Sequence, residues 1–345
     1  MTNVAFVGTA HIHTPAFINT LLRRTDVKAT VVYDADPRRA KHAAEKLGAK
    51  IAETPEAVYS DDTIKGVIIC SQTNLHEPLV LSAARAKKHM FVEKPLGMAG
   101  RDAYSMATAI QDSGLLFQTG YFQRSDPKNQ FIKDQITKGN LGKITRVRGS
   151  NGHSGALGDW FRAKPDAPHE EWRWMADVQQ SGVGGFGDLG THALDILIWW
   201  LGDVAKATAQ VDVVTGTYGG TDETGEGLMR FKNGAIGSLA AGWVDQADPV
   251  KYLISGTDGH LAVINNDLHY LSRREAKFDG STAVRKNEMP AAAPHAFELF
   301  LDALVNKALP IALVGAREAA YRSAVMEAMY EGAKTGTWIT PRATI

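Results

Sequence analysis

Asp188 and His192 stand four residues apart in the run Gly184-Gly185-Phe186-Gly187-Asp188-Leu189-Gly190-Thr191-His192-Ala193-Leu194-Asp195. On a helix this spacing puts both side chains on one face, so a carboxylate and an imidazole can converge on one small molecule. Lys94, in Val92-Glu93-Lys94-Pro95-Leu96, follows the apolar run 90–92. A cation at a strand end stands at the sheet edge where α/β folds bind ligands. Taking a proton from a hydroxyl requires a base within hydrogen-bond reach, and these groups are candidates. Singly, each has a plainer reading: an edge turn for Lys-Pro, an N-cap for Asp188, a satisfied polar side chain for His192.

A second constellation lies near the start. Gly8-Thr9-Ala10-His11-Ile12-His13 falls where an apolar run, 3–7, turns into a helical stretch. A phosphate-binding turn needs close backbone approach followed by free N–H groups at a helix start. Gly8 meets the first need and Ala10 stands in for a second glycine. His13 takes the third-glycine position, a departure, because that site normally packs close to the sheet. Asp34 lies 21 residues beyond His13, near the spacing of about 20 expected for a carboxylate on ribose hydroxyls. It repels a 2′-phosphate, so NAD is favoured over NADP; Arg38 and Arg39 weaken the preference. Asp36 and Pro37 read as a helix cap and first helical residue. His11 is expected beside the pyrophosphate, and His13 toward the nicotinamide or the sheet.

Apolar runs at 3–7, 27–33, 67–70 and 90–92 alternate with helical patterns at 15–24, 37–47, 75–86 and 101–112. Continuous apolar strands alternating with helices imply a parallel sheet with right-handed crossovers. The pattern changes after about residue 120. A helix (129–138) and strand (143–149) precede a long polar and aromatic stretch, 151–180, of the kind that is usually functional. An apolar helix at 188–201 follows. Strand-like runs at 207–214, 225–231, 235–243, 251–255 and 261–264 then succeed one another with turn signals, predicting a mostly antiparallel sheet. Helices at 294–306 and 315–334 close the chain. The fold class is therefore α/β. A Rossmann dinucleotide-binding domain over 1–122 precedes a substrate-binding and oligomerisation α/β domain over 123–345, whose large open sheet is mostly antiparallel.

The 345 residues suffice for two cores. Lys and Arg number 38, as do Asp and Glu, so no net charge points to nucleic acid or an anionic membrane. No apolar stretch is long enough to span a bilayer, and no basic n-region precedes residues 3–7 to suggest a signal peptide. The single cysteine, Cys70, forms no internal disulfide and reads as a small core side chain. A reducing, cytoplasmic setting is expected.

The Glu93-Lys94-Pro95 and Gly-rich Asp188-x-Gly190-x-His192-x-x-Asp195 motifs together resemble the Gfo/Idh/MocA family of glucose–fructose oxidoreductase and inositol dehydrogenase-like enzymes, over nearly the whole chain. Ser71-Gln72-Thr73-Asn74-Leu75-His76 is similar to the family's Thr-Pro-Asn-x-x-His segment, with Gln72 and Thr73 as departures. Tyr121-Phe122-Gln123-Arg124 resembles the Arg-containing segment at the domain junction. The resemblance implies a catalytic set of Lys94, Asp188 and His192: His192 as proton acceptor, Lys94 polarising the hydroxyl, Asp188 orienting substrate or imidazole. Lys94 is the alternative base. The cofactor, NAD rather than NADP, is expected on Gly8, Thr9, Ala10, His11, Ile12, Asp34, Ser71, Thr73, His76, Glu93, Lys94 and Gln123.

Substrate is expected on Lys94, Arg124, His153, Trp160, Trp172, Arg173, Asp188 and His192, because aromatic faces stack on sugar rings and Arg binds anions. The tryptophans, Trp174 among them, read equally as packing, Arg124 as an interdomain salt bridge, and Asp195 as either a substrate contact or part of the motif's hydrogen bonding. Neither Cys-x-x-Cys nor His-Glu-x-x-His is present, so no metal is expected despite His11, His13, His76, His153 and His192. The expected activity is hydride transfer from a secondary hydroxyl of a sugar, glycoside or cyclic polyol to NAD, in a homodimer or homotetramer formed through the open sheet. Alternatives are reduction of a keto-sugar or imine, an NAD-retaining glycosidase working by transient oxidation and elimination, and a non-catalytic NAD-binding sensor. The enzyme reading requires Lys94 and His192 to open into one space, and a dinucleotide groove free of side chains.

Overall fold

The computed structural model describes residues 1–167 and 171–344. The first sheet contains β1 (Thr2–Thr9), β2 (Val27–Tyr33), β3 (Lys50–Ile51), β4 (Ile64–Cys70), β5 (His89–Val92) and β6 (Phe117–Thr119). All pair in parallel, in the order β3-β2-β1-β4-β5-β6. Helices α1 (Thr14–Arg23), α2 (Pro37–Leu47), α3 (Pro55–Tyr59), α4 (His76–Arg85) and α5 (Gly100–Asp112) connect them. Val4 to Val7 are fully buried, as the continuous apolar run requires of a strand covered on both faces. The strand order reverses between β1 and β4, and the crevice at their carboxyl ends is where such sheets bind ligands. α2 starts as its sequence reads: Asp36 accepts from the Arg38 amide, and Pro37 follows.

After α6 (Pro127–Thr137), β7 (Ile144–Gly152) enters a second sheet. A strap, described over 153–167 and 171–177, leads to α7 (Val178–Ser181) and then α8 (Gly185–Leu201). The sheet continues with β8 (Val204–Asp212), β9 (Thr224–Phe231), β10 (Ile236–Gly242), β11 (Val250–Gly256), β12 (Gly259–Ile264), β13 (Asp267–Ser272) and β14 (Asp279–Ala283). Its order is β14-β13-β12-β11-β7-β10-β9-β8. β7 and β10 run parallel and every other pair is antiparallel. α8 covers one face, where Gly149 leaves room for Leu197. The other face carries Leu228, Ile236 and Leu271 exposed to solvent.

The chain then returns to the first sheet. In α9 (Ala296–Leu304), Phe297 stacks on Phe17 and meets Phe91 edge-on. In α10 (Ala316–Thr335), Ala319, Ala320 and Ala324 join the core around α5, while Met329 joins the core of the second sheet. The short or polar elements β3, α3, β6, β13 and β14 go beyond the sequence reading. Too few apolar residues recur in them to set a period, and pairing to neighbours decides their state. The strand expected at 207–214 lies at Val204–Asp212, because Val204 pairs with Phe231.

Candidate active site

The start of α8 is pressed onto the second sheet. A Cβ at Gly185 would lie 2.7 Å from the Glu223 carbonyl oxygen and 3.0 Å from Trp243. The free amides of this first turn are met from afar. Phe186 N donates to Asp222 Oδ2 at 3.0 Å, and Gly187 N donates to the Tyr330 hydroxyl at 2.9 Å. That hydroxyl donates in turn to Asp222 at 3.1 Å. Asp188 follows within the same turn, where the helix dipole favours a carboxylate. Lys94 Nζ donates to Asp188 Oδ1 at 2.7 Å, and Trp243 Nε1 donates to Oδ2 at 3.0 Å. Burial opposes ionisation of Asp188, but the adjacent Lys94 ammonium outweighs it and, with Trp243, holds the carboxyl below its usual range. Asp188 is thus a fixed anion facing a cation, not a proton acceptor.

His192 lies one helical turn on, 4% exposed. Its ring packs 5.1 Å from that of Phe122 and meets Tyr121 edge-on. Burial, then the charges of Lys94 and His13, push its pKa well below the ordinary histidine value. The ring is therefore neutral near pH 7. Its Nδ1 is buried and has no hydrogen-bond partner among the described residues. An unsatisfied buried nitrogen is costly, and at a cleft it marks an atom available to a ligand.

The β1–α1 turn meets the same centre. At Gly8 the backbone is left-handed (φ +89°), and a Cβ would lie 2.6 Å from Ser71 Cβ, so only glycine fits against β4. α1 begins at His13 with no side chain capping its amides. His13 Nδ1 hydrogen-bonds Glu93 Oε1 at 3.1 Å, and Glu93 Oε2 accepts from the Lys94 amide at 2.9 Å. Burial would push Glu93 up, but the imidazoles of His11 and His13 and the Lys94 ammonium pull it well below its usual range. Burial lowers His11 to about 3, leaving it neutral. His11, His13 and Glu93 bring ligand-type atoms within 4.8 Å of one another; the sequence reading weighed His11 and His13 as ligands with other histidines, and Glu93 is the partner it did not name among them. His76 Nδ1 donates to the Leu96 carbonyl at 3.0 Å, supporting the turn that follows Lys94. Thr73 borders Lys94 and His11 in a small hollow.

The residues of the dinucleotide groove suit NAD: an uncapped helix start, a glycine pressed on the neighbouring strand, and Asp34 at the end of β2. Two features differ from expectation. Asp34 Oδ2 accepts from Thr9 N and Oγ1 at 2.7 and 2.8 Å, and Oδ1 accepts from Asp36 N at 2.8 Å and Arg39 Nη2 at 3.0 Å. A ribose diol must exchange with one of these partners. Moreover, the groove is covered rather than free. Trp174 Nε1 donates to the Ala10 carbonyl at 2.9 Å, and Trp172 closes a hollow beside Thr9 and Arg39. The hollows at the two ends measure about 30 and about 10 Å³. The cause is apolar burial: Ala10, Phe161, Trp172, Trp174, Met175 and Trp243 form one core, with Ile12 against it.

Several expected substrate contacts are directed elsewhere. Arg124 donates to Asp195 through Nε at 2.9 Å and Nη2 at 2.6 Å, and reaches Glu318 at 3.2 Å. Arg322 Nε also donates to Asp195, at 2.9 Å. Asp195 is 0% exposed, so it and Arg124 form a buried tie between α8 and α10. Arg173 pairs at the surface with Asp159 at 3.2 Å. Gln123 Oε1 accepts from the Tyr252 hydroxyl at 2.8 Å, beyond the dinucleotide groove. Trp172 belongs to the groove cover. His153 stacks on Trp160, ring centroids 4.7 Å apart, with Trp160 46% exposed. Burial lowers the His153 pKa, while the nearby Asp188 charge opposes that, which puts His153 on the Asp188 side of the site. Trp243, Asp222 and Tyr330 escaped the sequence reading, and Phe122 stood in a quoted segment without a role. Each acts on the site from an element distant in sequence, and no spacing signals that.

A parallel sheet with a Gly8-type turn, joined to a larger mixed sheet that supplies a carboxylate and an imidazole, defines a two-part dinucleotide-linked oxidoreductase architecture. Residues 2–121 match the oxidoreductase family model for an NAD-binding Rossmann fold, and residues 129–262 match the Gfo/Idh/MocA C-terminal domain model. The chain belongs to the Gfo/Idh/MocA family. Levoglucosan dehydrogenase of Pseudarthrobacter phenanthrenivorans is 28% identical over 67% of this chain and 63% of its own length. Myo-inositol 2-dehydrogenase of Thermotoga maritima is 28% identical over 68% of this chain and 64% of its own length. The match thus spans slightly less than two thirds of these relatives. A solved levoglucosan dehydrogenase in complex with NADH and levoglucosan shares the fold, at 20% identity and TM-score 0.79 over 99% of both chains. No helix among the described residues is long and apolar enough to cross a membrane.

Proposed function

We propose that this chain is an NAD-dependent dehydrogenase that oxidises a secondary hydroxyl of a sugar, glycoside or cyclic polyol. The observation that carries the reading is the Lys94–Asp188 ion pair at the carboxyl edge of the first sheet, with the unpartnered, neutral His192 one helical turn beyond Asp188. Asp188 and Trp243 fix the Lys94 ammonium. Lys94 donates a hydrogen bond to the substrate oxygen and stabilises charge developing there. His192 accepts the hydroxyl proton. NAD supplies the acceptor for the hydride leaving the same carbon. Glu93 steadies His13 and the Lys94 backbone. The named activities of the relatives are of this class. A sensor has no need of an ion-paired lysine beside an unpartnered imidazole, so the enzyme reading is preferred. Asp34 keeps its carboxylate at the adenosine end, which disfavours a 2′-phosphate. Residues 1–122 hold the dinucleotide and 123–345 supply the substrate face.

The test is turnover, followed as NADH formation, on a panel of inositols, hexoses and glycosides with NAD and NADP. NAD should exceed NADP in kcat/KM. Lys94→Ala and His192→Ala should each lower kcat by at least about 100-fold, within the range for lost acid–base groups. Near-parental kcat in both folded variants refutes the assignment.

A further inference from the structure

A cavity of about 500 Å³ opens beside Phe122, where the ends of β7, β11 and β12 face α6 and the segment before α9. Phe122 separates it from the reaction centre. Its ring lies 5.1 Å from that of His192 on one side and stacks at 5.1 Å on His295, a cavity wall, on the other. The cavity has the size of a small-molecule site. Neither Lys94 nor His192 lines it, so it is distinct from the hollow that Lys94 and Asp188 share.

Its charges are already matched. Lys251 pairs with Asp248, and Lys128 with Asp126 at 3.3 Å. Burial lowers the His295 pKa, so that ring is neutral near pH 7. What remains for a ligand is neutral. Ser150 and Asn266 make no side-chain hydrogen bond among the described residues, and Gln123 has committed its carbonyl to Tyr252, leaving its amide nitrogen. Uncharged donors and acceptors beside apolar and aromatic wall residues suit the hydroxyls of a carbohydrate ring. An anionic ligand would find no unpaired cation, and a purely apolar one would strip water from Ser150 and Asn266 without replacing it.

We propose that this cavity is a subsite for the second ring, or a polar aglycone, of a neutral glycoside whose first ring reacts at Lys94 and His192. The inference rests on the dehydrogenase reading above and names its substrate class. Phe122 is the threshold between the two rings, and Ser150, Asn266 and Gln123 are the specificity residues.

The experiment compares kcat/KM of the full chain with NAD on cellobiose, maltose and gentiobiose against glucose, in the parent and in Ala293→Trp. Ala293 sits on the cavity rim, and only its backbone amide is bonded, to the Ser125 carbonyl at 3.1 Å. At least one disaccharide should exceed glucose by 10-fold or more in the parent. Ala293→Trp should reduce that disaccharide at least 10-fold and leave glucose within 2-fold, which also shows that the variant folds. Ser150→Ala should lower the same disaccharide's kcat/KM several-fold through KM, with kcat retained. Glucose turned over as well as every disaccharide, or both classes falling together in Ala293→Trp, overturns the subsite and leaves the dehydrogenase reading standing. No turnover of any carbohydrate overturns both.

Discussion

His192 and Asp188 show how one helical turn can hold two ionisable groups in opposite roles. Asp188 is locked as an anion by Lys94 and Trp243, whereas His192 is kept neutral by burial and nearby positive charge. For proton acceptance His192 must be unprotonated. Its pKa is depressed, so lowering the pH to 6.5, the ordinary histidine value, leaves it neutral, and activity declines only further down. The acidic limb of kcat/KM against pH should therefore fall below pH 6.5, measured with a substrate at limiting concentration. A limb at or above that value counts against His192 as the base. Trp243→Phe removes the donor to Asp188 Oδ2 and keeps an aromatic ring in the buried site. It should lower kcat/KM about 5- to 10-fold, the scale of one hydrogen bond at about 1–1.5 kcal/mol, with the fold retained by circular dichroism. Lys94, Asp188 and His192 were legible because each sits in a short local motif. Trp243 was not, because its approach to Asp188 depends on β10 lying beside α8. Arg124 and Asp195 were ambiguous for the same reason: only the return of α10 supplies Arg322 and Glu318 and turns a candidate substrate contact into a buried tie.

At the scale of elements, the strap before α7 is the feature that sequence reading placed in function but could not orient. Its tryptophans read equally as faces for the substrate or as packing; Trp172 and Trp174 pack, and they do so over the dinucleotide groove. The parallel strands were readable from their continuous apolar runs, and the antiparallel strands from their turn signals. The parallel β7–β10 pair was not, since it joins strands separated by the strap and α8. If Trp174 must leave Ala10 for NAD to enter, weakening that contact tightens binding. Trp174→Phe should lower the NAD Kd about 2- to 10-fold, from the loss of one neutral hydrogen bond in the closed form. Titration calorimetry checks this. Parental protein should also change tryptophan fluorescence on NAD addition, with a smaller change in Trp174→Phe. An unchanged Kd and an unchanged spectrum would place the strap outside cofactor entry.

For the whole molecule, the second sheet leaves one face uncovered, with Leu228, Ile236 and Leu271 among its exposed side chains. A sheet face of this kind is covered most simply by the same face of another copy. We propose a homodimer or homotetramer through it. Sedimentation should give a dimer or larger, and Leu228→Asp with Ile236→Asp should shift it toward monomer while leaving NAD affinity unchanged. A monomeric parent at micromolar concentration refutes the arrangement.

α10 touches both halves at once, through Ala319, Ala320 and Ala324 on one side and Met329 on the other, and Arg322 is clamped to Asp195 midway along it. A splint of this length, glued to two plates, opposes their rocking like jaws. On the proposed dehydrogenase reading, room for the cofactor would then have to come from the flap of two indole rings rather than from the plates.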